Sequence, residues 1–136
     1  MNWKIDEDKL WFKKWWPKDC PKNLQFNEIT CGDFFEEQRS KYHDEIFMVF
    51  LETEMTYDEA GDYIDSLATA LHRLGLRKGD VLALLIPNCF QYVITFYACM
   101  KIGVIVVPIN PNFKKIQILR ILKLTQPTTI VTVNYL

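Results

Sequence analysis

"MTYDEAGDYIDSLATALHRLGLRKGDVLALLIPN", residues 55–88, contains a helix, a turn and a strand in immediate succession. Thr56-Tyr57-Asp58-Glu59 has capping-box form, in which hydroxyl and carboxylate satisfy the exposed N–H groups of the first turn. At 100° per residue, Tyr57, Ala60, Tyr63, Ile64, Leu67, Ala68, Ala70, Leu71 and Leu74 fall within an arc of about 160°. Asp58, Glu59, Asp62, Asp65, Thr69, His72 and Arg73 fill the other side. The pattern predicts a helix over Tyr57–Leu74 that ends at Gly75, where a left-handed conformation costs glycine nothing. After the turn Arg77-Lys78-Gly79-Asp80, the run 81–86 is too short for a helix and apolar on both faces. Such runs belong to strands covered on both sides.

Reading toward the C-terminus, Asn88 is placed to cap a helix over Phe90–Ile102, apolar nearly all round and closed by Gly103. "VIVVPI" (104–109) reads as a second buried strand. "FKKIQILRILKL" (113–124) reads as a helix between Pro111 and Pro127, although its apolar residues scatter around the wheel. "TTIVTV" (128–133) reads as a third strand. Helix, strand, helix, strand, helix, strand implies an α/β fold: a parallel sheet with right-handed crossovers and helices on its faces.

Reading toward the N-terminus, "EIFMVFLETEMTY" (45–57) holds two short apolar runs around Glu52-Thr53-Glu54, a hairpin pattern. "CGDFFEEQRSKY" (31–42) reads as a short helix with Asp33 as N-cap and Phe34 and Phe35 turned inward. Residues 1–32 read as an extended arm. Its Trp3, Trp11, Trp15 and Trp16 are expected to cover the flank of the domain formed by 33–136, with the neighbouring lysines kept in water.

The totals narrow the function. The chain has 136 residues, 49% hydrophobic and 14% aromatic, enough for a core and unlike a disordered segment. A net charge of -1 gives no general electrostatic reason to bind nucleic acid or anionic membrane. Cys20, Cys31, Cys89 and Cys99 show no metal-ligand spacing, and such cysteines suggest a reducing compartment. The opening residues lack the apolar stretch of a signal peptide, so the cytoplasm is the expected location. Val81–Met100 is free of charge for twenty residues, long enough to span a bilayer. Pro87, Asn88 and Gln91 interrupt it, so a strand, a corner and a buried helix explain it better.

Catalytic signals are missing from the motifs. There is no GxGxxG after a strand, no P-loop, no nucleophile motif and no paired-carboxylate or metal-ligand cluster. His43 and His72 stand singly, and His72, Asp62 and Asp65 lie on the polar arc expected to face solvent. "IVVPINPNF" (105–113) ends a strand at one proline and turns at a second, at the carboxyl end of a parallel strand where ligands gather. Asn110 and Asn112 are placed to bond the local backbone there.

Taken in order, these motifs resemble the N-terminal part of adenylate-forming enzymes, the acyl-CoA synthetase and luciferase-like superfamily. The carriers are Met55-Thr56-Tyr57-Asp58-Glu59-Ala60, the turn and strand of "GLRKGDVLALLIPN", Lys101-Ile102-Gly103 and Pro108-Ile109-Asn110-Pro111. The leader "WWPKDCPKNL" with "DFFEEQ" is similar to that of medium- and long-chain fatty-acid CoA ligases. The resemblance implies ATP-dependent adenylation of a carboxylate followed by transfer to the CoA thiol, with magnesium assisting the first step. It also implies that the phosphate loop, adenine-binding segment, ribose-binding aspartate and catalytic lysine have no counterpart here. No catalytic, cofactor-binding or metal residue is therefore carried over. No cofactor is expected for this chain alone, while ATP, Mg2+ and CoA belong to full-length relatives. The expectation is a truncated N-terminal portion, inactive by itself. The alternative is a non-catalytic remnant that binds or pairs, through an exposed sheet edge, with itself or with a full-length relative.

Overall fold

The computed structural model describes residues 9, 14–21, 26 and 28–133. Among these described residues, four helices and five strands follow in order: α1 Cys31–Tyr42, β1 Ile46–Phe50, β2 Thr53–Thr56, α2 Tyr57–Arg73, β3 Val81–Leu85, α3 Phe90–Lys101, β4 Ile105–Pro108, α4 Lys115–Thr125 and β5 Thr129–Thr132. β1 and β2 form an antiparallel hairpin, and β4-β3-β5 form a parallel sheet with β3 in the centre. The expected alternation and parallel sheet are present.

α2 starts as its sequence demands. The Thr56 hydroxyl accepts the Glu59 N–H, and the Glu59 carboxylate accepts the Thr56 N–H at 2.9 Å. It ends at Gly75, whose N–H reaches His72 O while the Leu76 N–H reaches back to Leu71 O. α3 closes the same way: the Gly103 N–H bonds Met100 O and the Val104 N–H bonds Cys99 O. Both are Schellman endings, and in both the residue after the glycine, Leu76 or Val104, is buried. Each helix thereby hands the chain inward toward the next strand. A side chain at Gly103 would also press within 2.8 Å of the Lys78 stem.

β3 register decides what faces the core. Leu82 and Leu84 lie level with Val106 and Val131, and this face packs on α2 and α3 through Ile64, Leu71, Ala98 and Cys99. The tightest helix pair is α2 with α3, separated by small residues such as Ala60, Ala68 and Ala98. At the hairpin end, Phe35, Phe47, Tyr57 and Tyr97 form one aromatic cluster, with centroids 4.7 to 6.0 Å apart.

Several local expectations need correction. Thr30, not Asp33, caps α1: its hydroxyl accepts the Asp33 N–H and donates to the Asp33 carboxylate. Phe35 is buried but Phe34 points to solvent, because neighbours one residue apart lie 100° apart on a helix. Cys89, not Asn88, precedes α3, and no side chain caps it. β4 is not fully buried. Ile105 and Pro108 are exposed because β4 is an outer strand, while flanking Val104 and Ile109 are buried. α4 buries no residue completely, in keeping with its scattered wheel. Trp3 and Trp11 lie outside the described residues, and Trp15 is 66% exposed, so it does not cover a flank.

The hairpin turn falls at Leu51-Glu52, with Thr53 and Glu54 inside β2. Both turn residues have positive φ, 47° and 64°. That is the two-residue hairpin geometry for which Asn-Gly is favoured, and neither Leu nor Glu suits it. We expect the double substitution Leu51→Asn with Glu52→Gly to stabilise the chain by about 1 kcal/mol in urea unfolding. No gain would mean the turn is not formed as described.

Candidate functional site

The carboxyl ends of β3, β4 and β5 carry two separate features. One is the corner after β4. The Ile109 N–H continues the ladder to Leu84 O, the Asn110 side chain accepts the Asn112 N–H at 2.9 Å, and the Phe113 N–H bonds Asn110 O. Asn110 therefore spends its side-chain oxygen on the turn, as an Asx motif does. The corner is a self-satisfied bend.

The other is an apolar groove of about 740 Å³ between α2, α3 and the end of β5. Tyr63, Ser66 and Leu67 form one wall, Phe90, Gln91 and Ile94 the other, with Ile86, Val131 and Val133 at the base. Its volume falls within the range of small-molecule sites. Among the described residues, no carboxylate, imidazole or amine lines it. The Thr95 hydroxyl is already bonded to Gln91 O at 2.6 Å. Cys89 is half-buried at its rim. Cys99, in the core, is driven up to about 11 by burial and stays a protonated thiol at neutral pH.

Charge is concentrated elsewhere, between α1, α2 and α3. The Arg39 guanidinium bonds Asp58 at 2.8 Å, Asp62 at 2.6 Å and Asp65 at 3.2 Å. The Lys101 ammonium bonds Glu36 at 2.8 Å and also Asp65. A side chain at Gly61 would sit 2.4 Å from the guanidinium carbon, so Arg39 lies across α2 where glycine alone leaves room. Partial burial opposes the charge on both cations. Hydrogen bonds to Asp58 and Asp62 outweigh it for Arg39, and bonds to Asp65 and Glu36 outweigh it for Lys101, so both pKa values are raised. The arc that the sequence assigned to solvent is thus half of an ionic clamp. Sequence reasoning missed Arg39, whose only signal is a basic residue far along the chain from its three aspartates. His72 is exposed, as expected, and the His43 ring pairs only with neighbouring Asp44.

The family residues have structural duties of the same kind. Tyr57 belongs to the aromatic cluster and Asp58 to the clamp. Lys101 joins α3 to α1 and α2. The Asp80 carboxylate accepts the Arg77 N–H at 2.7 Å, and the Gly79 N–H bonds Gly103 O at 2.9 Å. Among the described residues, no group of three or more His, Cys, Asp or Glu could hold a metal ion. The three aspartates are taken by Arg39.

Replacing Arg39 by Ala should destabilise the chain by about 1–2 kcal/mol, a figure discounted because its aspartates are largely solvated. Arg39→Lys should recover less than half, since an ammonium lacks the planar fork. Chemical denaturation of the three proteins checks both. Lys101 yields a pH signature. Its raised pKa means its stabilisation is complete below its ordinary 10.5 and is lost as pH climbs through the raised value. Stability should therefore fall as pH climbs above about 10.5, and more gently in Lys101→Met. Equal slopes would deny Lys101 this role.

Comparison with known proteins gives a consistent set. The profile of the family described as AMP-binding enzyme matches residues 35–135. The long-chain-fatty-acid–CoA ligase of Bacillus subtilis strain 168 is 28% identical over 132 residues, 97% of this chain and 23% of the relative. That of Escherichia coli O6:H1 is 31% identical over 107 residues, 77% of this chain and 19% of the relative. Among solved structures, the N-terminal subdomain of Klebsiella oxytoca NpsA superposes with a TM-score of 0.76 at 27% identity, over 79% of this chain and 28% of that one. Mycobacterium tuberculosis fatty acyl CoA synthetase gives 0.72 at 26% identity, over 76% of this chain and 21% of that one. The chain spans less than a quarter of the curated relatives' length. Among the described residues, no helix is long and apolar enough to cross a membrane.

Proposed function

The chain belongs to the AMP-binding enzyme family, and from that premise we propose that it is the first structural portion of a fatty acyl-CoA ligase. The family reaction would join a fatty carboxylate to AMP with release of pyrophosphate, then exchange AMP for the CoA thiol. In that reaction this chain supplies scaffold. The observation that carries the reading is that the matched motif residues are engaged in caps, turns and ion pairs within the chain itself. ATP, Mg2+ and CoA would be held by segments that have no counterpart in this sequence, and the chain alone is inactive. From α1 onward the described residues, 31–133, would be part of one α/β domain. Four free cysteines, with Cys99 a protonated core thiol, support a reducing, cytoplasmic setting.

A graft tests the proposal. Residues 35–135 would replace their counterpart in the Bacillus subtilis ligase, with acyl-CoA formation as readout. Activity within about tenfold of the parent is expected, because no catalytic group changes. A folded but inactive graft would favour the competing reading, a diverged binding module. The isolated chain with ATP, magnesium and fatty acids should give no ATP–pyrophosphate exchange, and clear exchange would refute the scaffold role.

A further inference from the structure

The whole-chain charge of -1 conceals a division along the sequence. All 17 acidic residues lie at or before Asp80, and Lys101, Lys114, Lys115, Arg120 and Lys123 follow with no acid among them. Lys101 is engaged in the clamp, and the other four cations belong to α4 or its N-cap. Each of the four is exposed, and among the described residues none has an ion-pair partner. Their placement works against the helix. Lys114 and Lys115 stand at its N-terminal end, where the aligned peptide dipoles repel cations, and no acidic residue occupies the first turn. A local rule broken without compensation inside the chain points to a partner outside it.

The outer surface of α4 is ordered. Ile118, Ile121, Leu122 and Thr125 are half-buried on one side of the helix. On the other, at 100° per residue, Lys115, Leu119, Lys123, Ile116, Arg120 and Leu124 succeed one another around about 180°. Cation and aliphatic alternate through the whole arc, with Ile116 71% exposed and Leu124 83%. That alternation selects the partner. A fixed protein groove suits a segregated apolar stripe, because its pockets would otherwise have to desolvate each intervening cation. Nucleic acid answers the cations but gives Ile116, Leu119 and Leu124 only a phosphate backbone to face. A bilayer interface answers both sets. The aliphatics enter the acyl boundary while the flexible stems of lysine and arginine reach back to headgroup phosphates. Four cations on an amphipathic helix complement an anionic leaflet.

We propose that α4 is a peripheral anchor that lies flat on an acidic phospholipid surface, with Ile116, Leu119 and Leu124 turned into it. At 11 residues the helix is too short to cross a bilayer. The anchoring does not depend on the adenylating role, so failure of the graft would leave it standing.

Flotation of the full chain with lipid vesicles tests this. Binding is expected to phosphatidylcholine vesicles carrying about 40% phosphatidylglycerol, and not to phosphatidylcholine alone. Each cation contributes about fivefold to partitioning, so Lys115→Gln combined with Lys123→Gln should weaken binding about twentyfold. Salt at about 1 M, where the Debye length is about 3 Å, should abolish it. Leu124→Ser should weaken it severalfold and leave the salt dependence unchanged. All these side chains are exposed, so the circular dichroism of the free variants should match the parent. A second measurement needs no variant: on vesicle addition, amide exchange should slow in α4 and stay unchanged in α1. Equal binding to both vesicles, no binding, binding indifferent to the substitutions, or protection outside α4 alone would each overturn the proposal. So would tighter binding of a short DNA duplex than of the anionic vesicles.

Discussion

Everything else in this structure answers to the complete burial of one strand. Leu82, Ala83 and Leu84 are consecutive and have no exposed surface. Consecutive strand residues point to opposite faces, so a strand buried along its length needs cover above and below and a neighbour on each edge. β4 and β5 supply the edges, and α2 with α3 cover the face that bears Leu82 and Leu84. The opposite face, on which Ala83 lies level with Val107 and Ile130, is less well covered, and Ile105 and Ile130 remain open there. The asymmetry is physical: α2 and α3 present small residues that allow close approach, whereas α4 has its apolar residues spread around its circumference.

That constraint explains why so much of the fold was legible. A run such as 81–86 has one physically acceptable environment, and the capping box and the two Schellman glycines fix where the adjoining helices start and stop. The fold class and element order follow from those signals. Local details failed where two residues competed for one role. Thr30 and Asp33 both have capping side chains, and the structure uses them reciprocally. At the hairpin, polar residues around Glu52-Thr53-Glu54 drew the turn one residue too far. The actual turn holds Leu51 and Glu52 in a conformation their chemistry does not announce.

Long-range pairing was the other blind spot. A helical wheel separates apolar from polar residues but gives no partner for either set. It leaves Asp58, Asp62 and Asp65 facing solvent, where they are, but does not reveal that they meet Arg39 from another helix. It placed Tyr63, Ala70 and Leu74 with the core, yet they lie outside it. The misplacement of Tyr63, Ala70 and Leu74 has a physical origin: the apolar arc of about 160° is wider than the stripe that one neighbouring layer can cover. A helix with such an arc has surface left for a second neighbour.

The groove and the family motifs relate to function in different ways. Recognition rests on Thr56, Tyr57, Asp58, Lys101, Gly103, Pro108 and Asn110, residues that cap, clamp and turn the chain, and whose geometry is set by backbone requirements rather than by a substrate. Chemistry requires groups that can hold or move charge at a reacting atom, and the groove offers none beyond a half-buried thiol and a phenol. The family is therefore legible at 28% identity through such residues, because caps and turns tolerate few residue types wherever the fold recurs. Function in such a fold lives in the site mounted on it. The corner at Pro108–Asn112 shows the division: it lies where a ligand would gather, and its asparagine is already occupied in holding the bend.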